Sequence, residues 1–257
     1  MIESVNKAIK LINIVSHPQN NIPTLKYISE TLNINKSSCC HLIKTLIDND
    51  ILIKISASKG YELGPRAFYW TNNKTYLEID LSIIKPILHW LHKETTESVV
   101  VSTIINNKKY ILLYYSSDIT IISDGSSLFE EQFYKSATGM HLLSTLNTQD
   151  LYNVYKNNPL PDKNIWPNIN SFTNLLNLLK TIRRKHVYKF VFCDENNTLI
   201  FSYSCLIKKN GQIWGAVGIT LNSKKIEGPN AEADIVKKLT TAASLISKRF
   251  DKYSKDS

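Results

Sequence analysis

The sequence predicts an α+β protein in two parts: a small unit of three helices closed by a β-hairpin, and a larger unit in which helices flank an antiparallel sheet. Three observations carry this. The first 65 residues hold three short helical apolar patterns, followed by two strand-like runs about a glycine. Beyond residue 75, strand-like runs come in pairs joined by turn residues, and Asn210-Gly211 is the strongest hairpin signal in the chain. Amphipathic helical patterns stand before, between and after those pairs, which is how helices cover an antiparallel sheet.

The first helix carries Val5, Ala8, Ile9, Ile12 and Val15 at helical spacing, with Ser4 as its N-cap. Pro18 and Gln19-Asn20-Asn21 break it. Thr24 caps a second helix with Leu25, Ile28 and Leu32. Asn33-Ile34-Asn35 forms a turn, and Asn35 caps a third helix whose apolar set is Cys39, Leu42, Ile43 and Leu46. Ile51-Leu52-Ile53 and Tyr61-Glu62-Leu63 are strands about a polar tip, Ser56 to Gly60. Three helices, the last two joined tightly, followed by a hairpin, make a winged helix-turn-helix.

The third helix is the informative one. Its apolar residues share one face, which fixes the helix to its domain. Ser37, Cys40, His41 and Lys44 lie opposite, with Ser38 at the flank. That face is small, polar and basic, as a helix entering a DNA major groove requires. A helix N-terminus, here at Lys36, can also donate backbone N–H groups to a phosphate. Lys54 and Lys59 on the wing can reach the DNA backbone. By itself, a polar helix face is ordinary solvated surface.

Composition permits this reading without locating it. The 257-residue chain carries a net charge of +9, which favours a polyanionic partner. Residues 1–70 hold eight Lys/Arg against five Asp/Glu, so most of the excess lies elsewhere. The richness in Ile, Asn and Lys is also what AT-rich coding sequence produces. Apolar residues make up 43% of the chain, enough for a core at this length. No apolar run approaches a membrane span, and Met1 to Lys10 lacks the pattern of a signal peptide, so a cytoplasmic protein with no membrane partner is expected. Cys39, Cys40, Cys193 and Cys205 form no C-x-x-C pair.

Pro65 opens a short helix over Arg66–Trp70, and Asn72-Asn73-Lys74 reads as linker. The expected division is residues 1–70, a linker over 71–78, and 79–257. The second domain starts with a helix bearing Leu81, Ile84, Leu88 and Leu91. Strands follow over Ser98–Ile105 and Lys109–Ser116, joined by Asn106-Asn107, with Ile119–Ser123 a further candidate. Gly139–Leu146 and Thr148–Tyr155 read as helices, and Ser171 caps a long one with Leu175, Leu178, Leu179 and Ile182. Val187–Cys193, Leu199–Ile207 and Gln212–Leu221 are strands. A closing helix from about Pro229 to Arg249 carries Ile235, Leu239, Ala242 and Ile246 on one face.

Residues 4–70 resemble the N-terminal domain of the IclR family of transcription regulators. Ser4-Val5-Asn6-Lys7-Ala8 is similar to that family's S-V-x-R-A start, and Leu25-Lys26-Tyr27-Ile28-Ser29 to its second helix. Lys36-Ser37-Ser38 with Leu42-Ile43-Lys44-Thr45-Leu46 resembles its recognition helix, K-S-T-x-x-R-L-L-x-x-L. Tyr61-Glu62-Leu63-Gly64-Pro65-Arg66 resembles the Y-x-L-G-P-x segment that closes the wing, the most specific of these motifs. His41 stands where the family usually has Arg, and Asp50 where it usually has Gly.

The later order of elements resembles the family's effector-binding domain, a GAF-like sensor fold, over nearly all of residues 78–250. Tyr134 to Met140 resembles H-A-S/T-A-x-G-K, and Gly211 to Thr220 its d-G-x-v-x-a-l-s-v-s strand. Arg183 resembles the Arg of R-x-x-G-Y, with His186 in place of Gly. Asp194-Glu195-Asn196 resembles the acidic segment before G-x-x-C, a motif absent around Thr198–Ser202. The resemblance implies a small carboxylate-type or aromatic effector held by Ala137, Thr138, Asp194, Ser202, Gly218 and Thr220. Gly218 replaces a serine that donates a hydrogen bond.

Together these imply a non-enzymatic regulator, repressor or activator, that reads double-stranded operator DNA as a homodimer or tetramer and takes a small organic effector. DNA contacts are expected from Lys36, Ser37, Ser38, His41, Lys44 and Lys59. Two rivals stand beside it: a sensor or enzyme whose winged helix serves protein contact, and a regulator that has lost its effector. No G-x-x-x-x-G-K, G-x-G-x-x-G or H-E-x-x-H occurs, so no catalytic residue, metal site or cofactor is expected. His89 and His92 read as a solvated helix face, and Lys108-Lys109, Lys208-Lys209 and Lys224-Lys225 as solvated turns.

Overall fold

The structure, a computed structural model, describes residues 2–16, 22–56, 60–71, 76–116, 128–130, 133–158, 166–193, 197–226, 228 and 230–256. It divides into two compact units, Met1–Leu77 and Glu78–Ser257.

In the first unit, α1 (Glu3–Ser16), α2 (Leu25–Thr31) and α3 (Lys36–Asp48) precede a hairpin of β1 (Leu52–Ser56) and β2 (Gly60–Leu63), then α4 (Pro65–Thr71). Leu11, Val15, Ile28, Cys39, Ile43, Leu46, Leu52 and Tyr61 form its core. Thr24 and Asn35 cap α2 and α3 as expected: their side chains accept from Tyr27 N–H at 3.3 Å and Ser38 N–H at 2.7 Å. The first helix differs. It begins at Glu3, so Ser4 lies inside it rather than capping it. Its buried residues are Leu11 and Val15, while Val5 and Ile9 are both 52% exposed. Val5 and Ile9 lie roughly 120° and 160° round the helix from Leu11, beyond the reach of a face one core deep.

The second unit opens with α5 (Tyr76–Thr95), then β3 (Ser98–Ile105) and β4 (Lys108–Tyr115). Asn106 and Asn107 both take positive φ, 51° and 62°, as a two-residue hairpin turn needs. β5 (Leu128–Glu130) was not foreseen, and the candidate strand Ile119–Ser123 falls outside the described residues, as does the linker Asn72–Lys74. α6 (Ala137–Leu143), α7 (Thr148–Asn157) and α8 (Phe172–Arg183) follow. α6 starts two residues before the expected Gly139, because Ser136 accepts from Gly139 N–H at 3.1 Å and so sets the cap. β6 (Val187–Cys193), β7 (Leu199–Lys209), β8 (Gln212–Asn222) and α9 (Ala231–Asp256) complete the unit.

The sheet is antiparallel throughout, in the order β5-β4-β3-β8-β7-β6. One face packs against α5 and α9 through Leu88, Leu91, Val99, Tyr203, Val217, Ile219, Leu239 and Ile246. The other packs against α6 and α8 through Met140, Leu143, Leu175, Leu179, Tyr188 and Phe190. Each such leucine or isoleucine contributes roughly 1.5–3 kcal/mol. Helices on both faces of an antiparallel sheet are the layers the sequence predicts.

Candidate nucleic-acid interface and ligand site

The chain entering α3 turns at Asn33, whose φ is +52°, a conformation asparagine tolerates. Cys39, Ile43 and Leu46 then anchor the helix in the core, with Leu42 half-buried. The opposite side is open: Lys36, Ser37, Ser38, His41 and Lys44 are all exposed. Cys40 and Thr45 are exposed too, and Thr45 donates its hydroxyl to the His41 carbonyl at 2.9 Å. The helix thus presents three long cationic or polar heads, Lys36, His41 and Lys44, and several short hydroxyl side chains, a set suited to phosphates and base edges.

The hairpin is locked beside this helix by two glycines. Gly60 has φ +100°, and a Cβ there would stand 2.3 Å from the Pro23 carbonyl oxygen, while Tyr61 N–H donates to that same oxygen at 3.0 Å. A Cβ on Gly64 would stand 2.2 Å from the Asp50 carbonyl oxygen, and Gly64 N–H donates to Ile51 at 2.8 Å. The glycine in Tyr-Glu-Leu-Gly-Pro is therefore a close-approach residue. Asp50 itself has φ +59°, which explains why a glycine is usual there. Arg66 closes the end of α3: its Nε donates to the Asn49 carbonyl at 2.7 Å and its guanidinium lies 3.9 Å from the Asp50 carboxylate. Lys54 is exposed on β1, whereas Lys59 lies outside the described residues.

In the second unit, Ala137 and Thr138 open α6 and are buried against the sheet. Gly218 and Thr220 share the α6-facing side of β8; Ser204 and Ser202 oppose them on β7. The Ser202 and Thr220 hydroxyls are hydrogen-bonded at 3.0 Å. A Cβ on Gly218 would stand 2.6 Å from Thr138 Cγ2 and 3.2 Å from the Tyr203 carbonyl oxygen. Where the resemblance implies a ligand-binding serine, this chain seats a threonine methyl on a glycine. Thr138 Oγ1 is buried without a hydrogen-bond partner. Thr138 with Gly218, and Ser202 with Thr220, are thus brought together. Asp194 lies outside the described residues.

Sequence reasoning missed two polar groups on this side of the sheet. Lys109 is 1% exposed, and its ammonium donates to Ser136 Oγ at 2.8 Å, the same hydroxyl that caps α6. His141 is fully buried in α6. Its Nδ1 lies 3.1 Å from the Ser204 carbonyl and 3.2 Å from the Ser204 hydroxyl. Burial lowers the His141 pKa to about 4, against the smaller opposing pull of the Lys185 and Ser204 backbone.

That shift has a testable consequence. A histidine held neutral in the fold but free to charge when unfolded stabilises fully above pH 6.5. Its contribution is lost as pH falls from 6.5 towards 4, by up to roughly 3 kcal/mol. Urea unfolding between pH 7.5 and 4.5 is expected to show this slope in the second unit, and His141→Gln to flatten it. An unchanged slope in the variant would assign the acid sensitivity to other groups.

The paired lysines are not solvated turns. In each pair the second lysine is engaged: Lys109 with Ser136, Lys209 with Asp80 at 2.6 Å, and Lys225 with Glu97 at 3.1 Å. Asp80 and Glu97 are both 5% exposed, so their charges need those partners. Nor are His89 and His92 a free helix face. His92 Nδ1 lies 2.8 Å from the Glu97 carbonyl, and both rings contact Tyr115. Among the described residues no group of three His, Cys, Asp or Glu could hold a metal ion, and no helix is long and apolar enough to cross a membrane.

No protein-family model and no curated protein sequence matches the chain. Solved structures do. A putative IclR transcriptional regulator from a Silicibacter species matches with TM-score 0.70 at 17% identity, covering 96% of each chain. The Thermotoga maritima IclR matches with TM-score 0.63 at 18% identity, over 98% of this chain and all of that one. The chain has the IclR fold. An IclR homolog from Microbacterium hydrocarbonoxydans, solved with 4-hydroxybenzoate, matches with TM-score 0.72 at 14% identity, covering 96% of this chain and 98% of that one. This is the fold that the resemblance of residues 4–70, and of the order of elements over 78–250, implies.

Proposed function

We propose that the chain is a transcription regulator of the IclR type, which binds operator DNA through α3 and its wing. The observation that carries this is the two-sidedness of α3: Cys39, Ile43 and Leu46 are packed away, while Lys36, Ser37, Ser38, His41 and Lys44 stand clear. One recognition helix reads only a few base pairs, so specific binding calls for a homodimer or tetramer on a pseudo-palindromic site. Lys59, outside the described residues, is the further candidate for a DNA-backbone contact.

The effector site lies between the start of α6 and the β7–β8 pair, at Ala137, Thr138, Ser202, Gly218 and Thr220; Asp194, outside the described residues, is the remaining residue the resemblance implies. The Thr138 methyl over Gly218 favours an effector that asks for fewer hydrogen bonds there than a serine-lined site would meet.

Fluorescence anisotropy on DNA from upstream of the chain's own gene, at two salt concentrations, tests the first part. Sequence preference with a steep salt dependence is expected. Weak binding without preference would favour a winged helix that contacts protein. For the second part, a thermal-shift screen with small organic acids, 4-hydroxybenzoate among them, is expected to give saturable stabilisation. A uniformly negative screen would favour a regulator that has lost its effector.

A further inference from the structure

We propose that the second unit carries another ligand site, for a small organic anion of two or more charges, at the end of α6 opposite the candidate effector site. A groove of about 680 Å³ lies there, of the size that takes a metabolite. Its cations are Arg183 at the end of α8, Lys185 in the turn before β6 and Lys208 on β7, with the His186 imidazole beside them. Among the described residues no carboxylate lines it. Leu206 and Ile213 offer apolar surface for a carbon skeleton, and Thr240 and Ser244 bring hydroxyls from α9.

Lacking a carboxylate does not by itself mark a lysine in this unit, where some are paired and others are not; lining one groove together does. Lys189, Lys209, Lys225 and Lys238 each hold a carboxylate within 3.1 Å. Among the described residues, Lys185 and Lys208 hold none. Single surface lysines are ordinarily left to water. Converging cations in a concave wall are different, because low-dielectric walls concentrate their field on whatever enters.

Arg183 makes the site specific. Its Nε donates to the Ser144 carbonyl and its terminal nitrogen to the Leu146 carbonyl at 2.6 Å. These bonds fix the guanidinium at the C-terminal end of α6 without neutralising its charge. A planar, pre-oriented guanidinium is suited to a carboxylate or phosphate oxygen. The four residues Thr138, Ala137, Ser202 and Thr220 belong to the other end of α6 and its sheet, so the two sites are separate.

Titration calorimetry of the full chain with citrate and with pyrophosphate tests this, with chloride holding ionic strength constant. Saturable binding of at least one probe is expected, weakened about tenfold or more in Lys185→Gln/Lys208→Gln. Both side chains are exposed, so the variant is expected to keep the parent's melting temperature. Absence of saturable binding by either probe, or equal affinity in the variant, would overturn the proposal. So would a changed oligomeric mass of the variant in light scattering, which would make the groove a contact between copies. A variant that loses operator binding while its anion affinity is unchanged would also overturn it, assigning the groove to DNA.

Discussion

Gly139→Ala is expected to destabilise the second unit by about 3 kcal/mol, a fall of roughly 10 °C in its melting temperature. The added Cβ would stand 2.2 Å from the Phe133 carbonyl oxygen and 2.9 Å from Ser136 Oγ. Neither neighbour can yield cheaply. Phe133 is 1% exposed in the core beneath α6, and Ser136 both caps the helix and receives the buried Lys109 ammonium. Overpacking costs about 1–3 kcal/mol and a lost N-cap about 1 kcal/mol more. Gly211→Ala is the control. Gly211 has φ +75° with nothing near its Cβ position, so only the backbone cost, about 1 kcal/mol, is expected. Thermal and urea unfolding of both variants gives the comparison. Equal stability of the two would show that α6 does not start against Phe133.

The same helix shows where the sequence is legible and where it is not. Local signals read well. Thr24, Asn35 and Ser171 cap the helices expected of them, because a cap is satisfied within three residues of itself. Asn210-Gly211 turns as expected, since the requirement for positive φ is also local. Long-range pairing does not read. Nothing near Lys109 in sequence reveals that Ser136 lies across the sheet edge from it, and Lys209 finds Asp80 from 129 residues away. A lysine pair beside a turn looks the same whether one member is buried or both are solvated. The first helix fails for a related reason. Its apolar residues ring more than one face, and only the position of α3 and the hairpin decides that Leu11 and Val15 go inward while Val5 and Ile9 stay out.

The candidate sites divide in the same way. The candidate DNA-facing residues other than Lys59 occupy one short helix, where spacing sets the face: burying Cys39, Ile43 and Leu46 leaves Ser37, His41 and Lys44 outside. The candidate effector residues come from α6 and from the β7–β8 pair, which lies more than sixty residues further along the chain, and only the tertiary packing brings Thr138 onto Gly218. The sequence shows at Gly218 only that a serine of the resemblance is missing, and that something approaches it closely enough to require glycine is not legible there.

The exposed face of α3 therefore supports the sharpest functional test. His41→Ala/Lys44→Ala is expected to lower specific operator affinity by about 100-fold, with melting temperature unchanged. Both side chains are exposed and lie opposite the buried Cys39, Ile43 and Leu46, so their removal leaves the core intact. A base-reading contact from His41 is worth about 1–3 kcal/mol, and the lost Lys44 charge adds to it, which together reach the stated loss. The single variants separate the roles. Lys44→Ala, if its partner is a phosphate, weakens all sequences alike and lowers the salt slope by about one. His41→Ala instead relaxes preference at one position. His41→Arg adds a forked cation at the position where the related recognition helices carry one, and is expected to raise affinity for guanine-bearing sites above that of the parent. Anisotropy titrations on the upstream DNA and on a scrambled duplex measure all four variants. Retention of specific binding by the double variant would remove α3 as the reading element and return the exposed face to ordinary solvated surface.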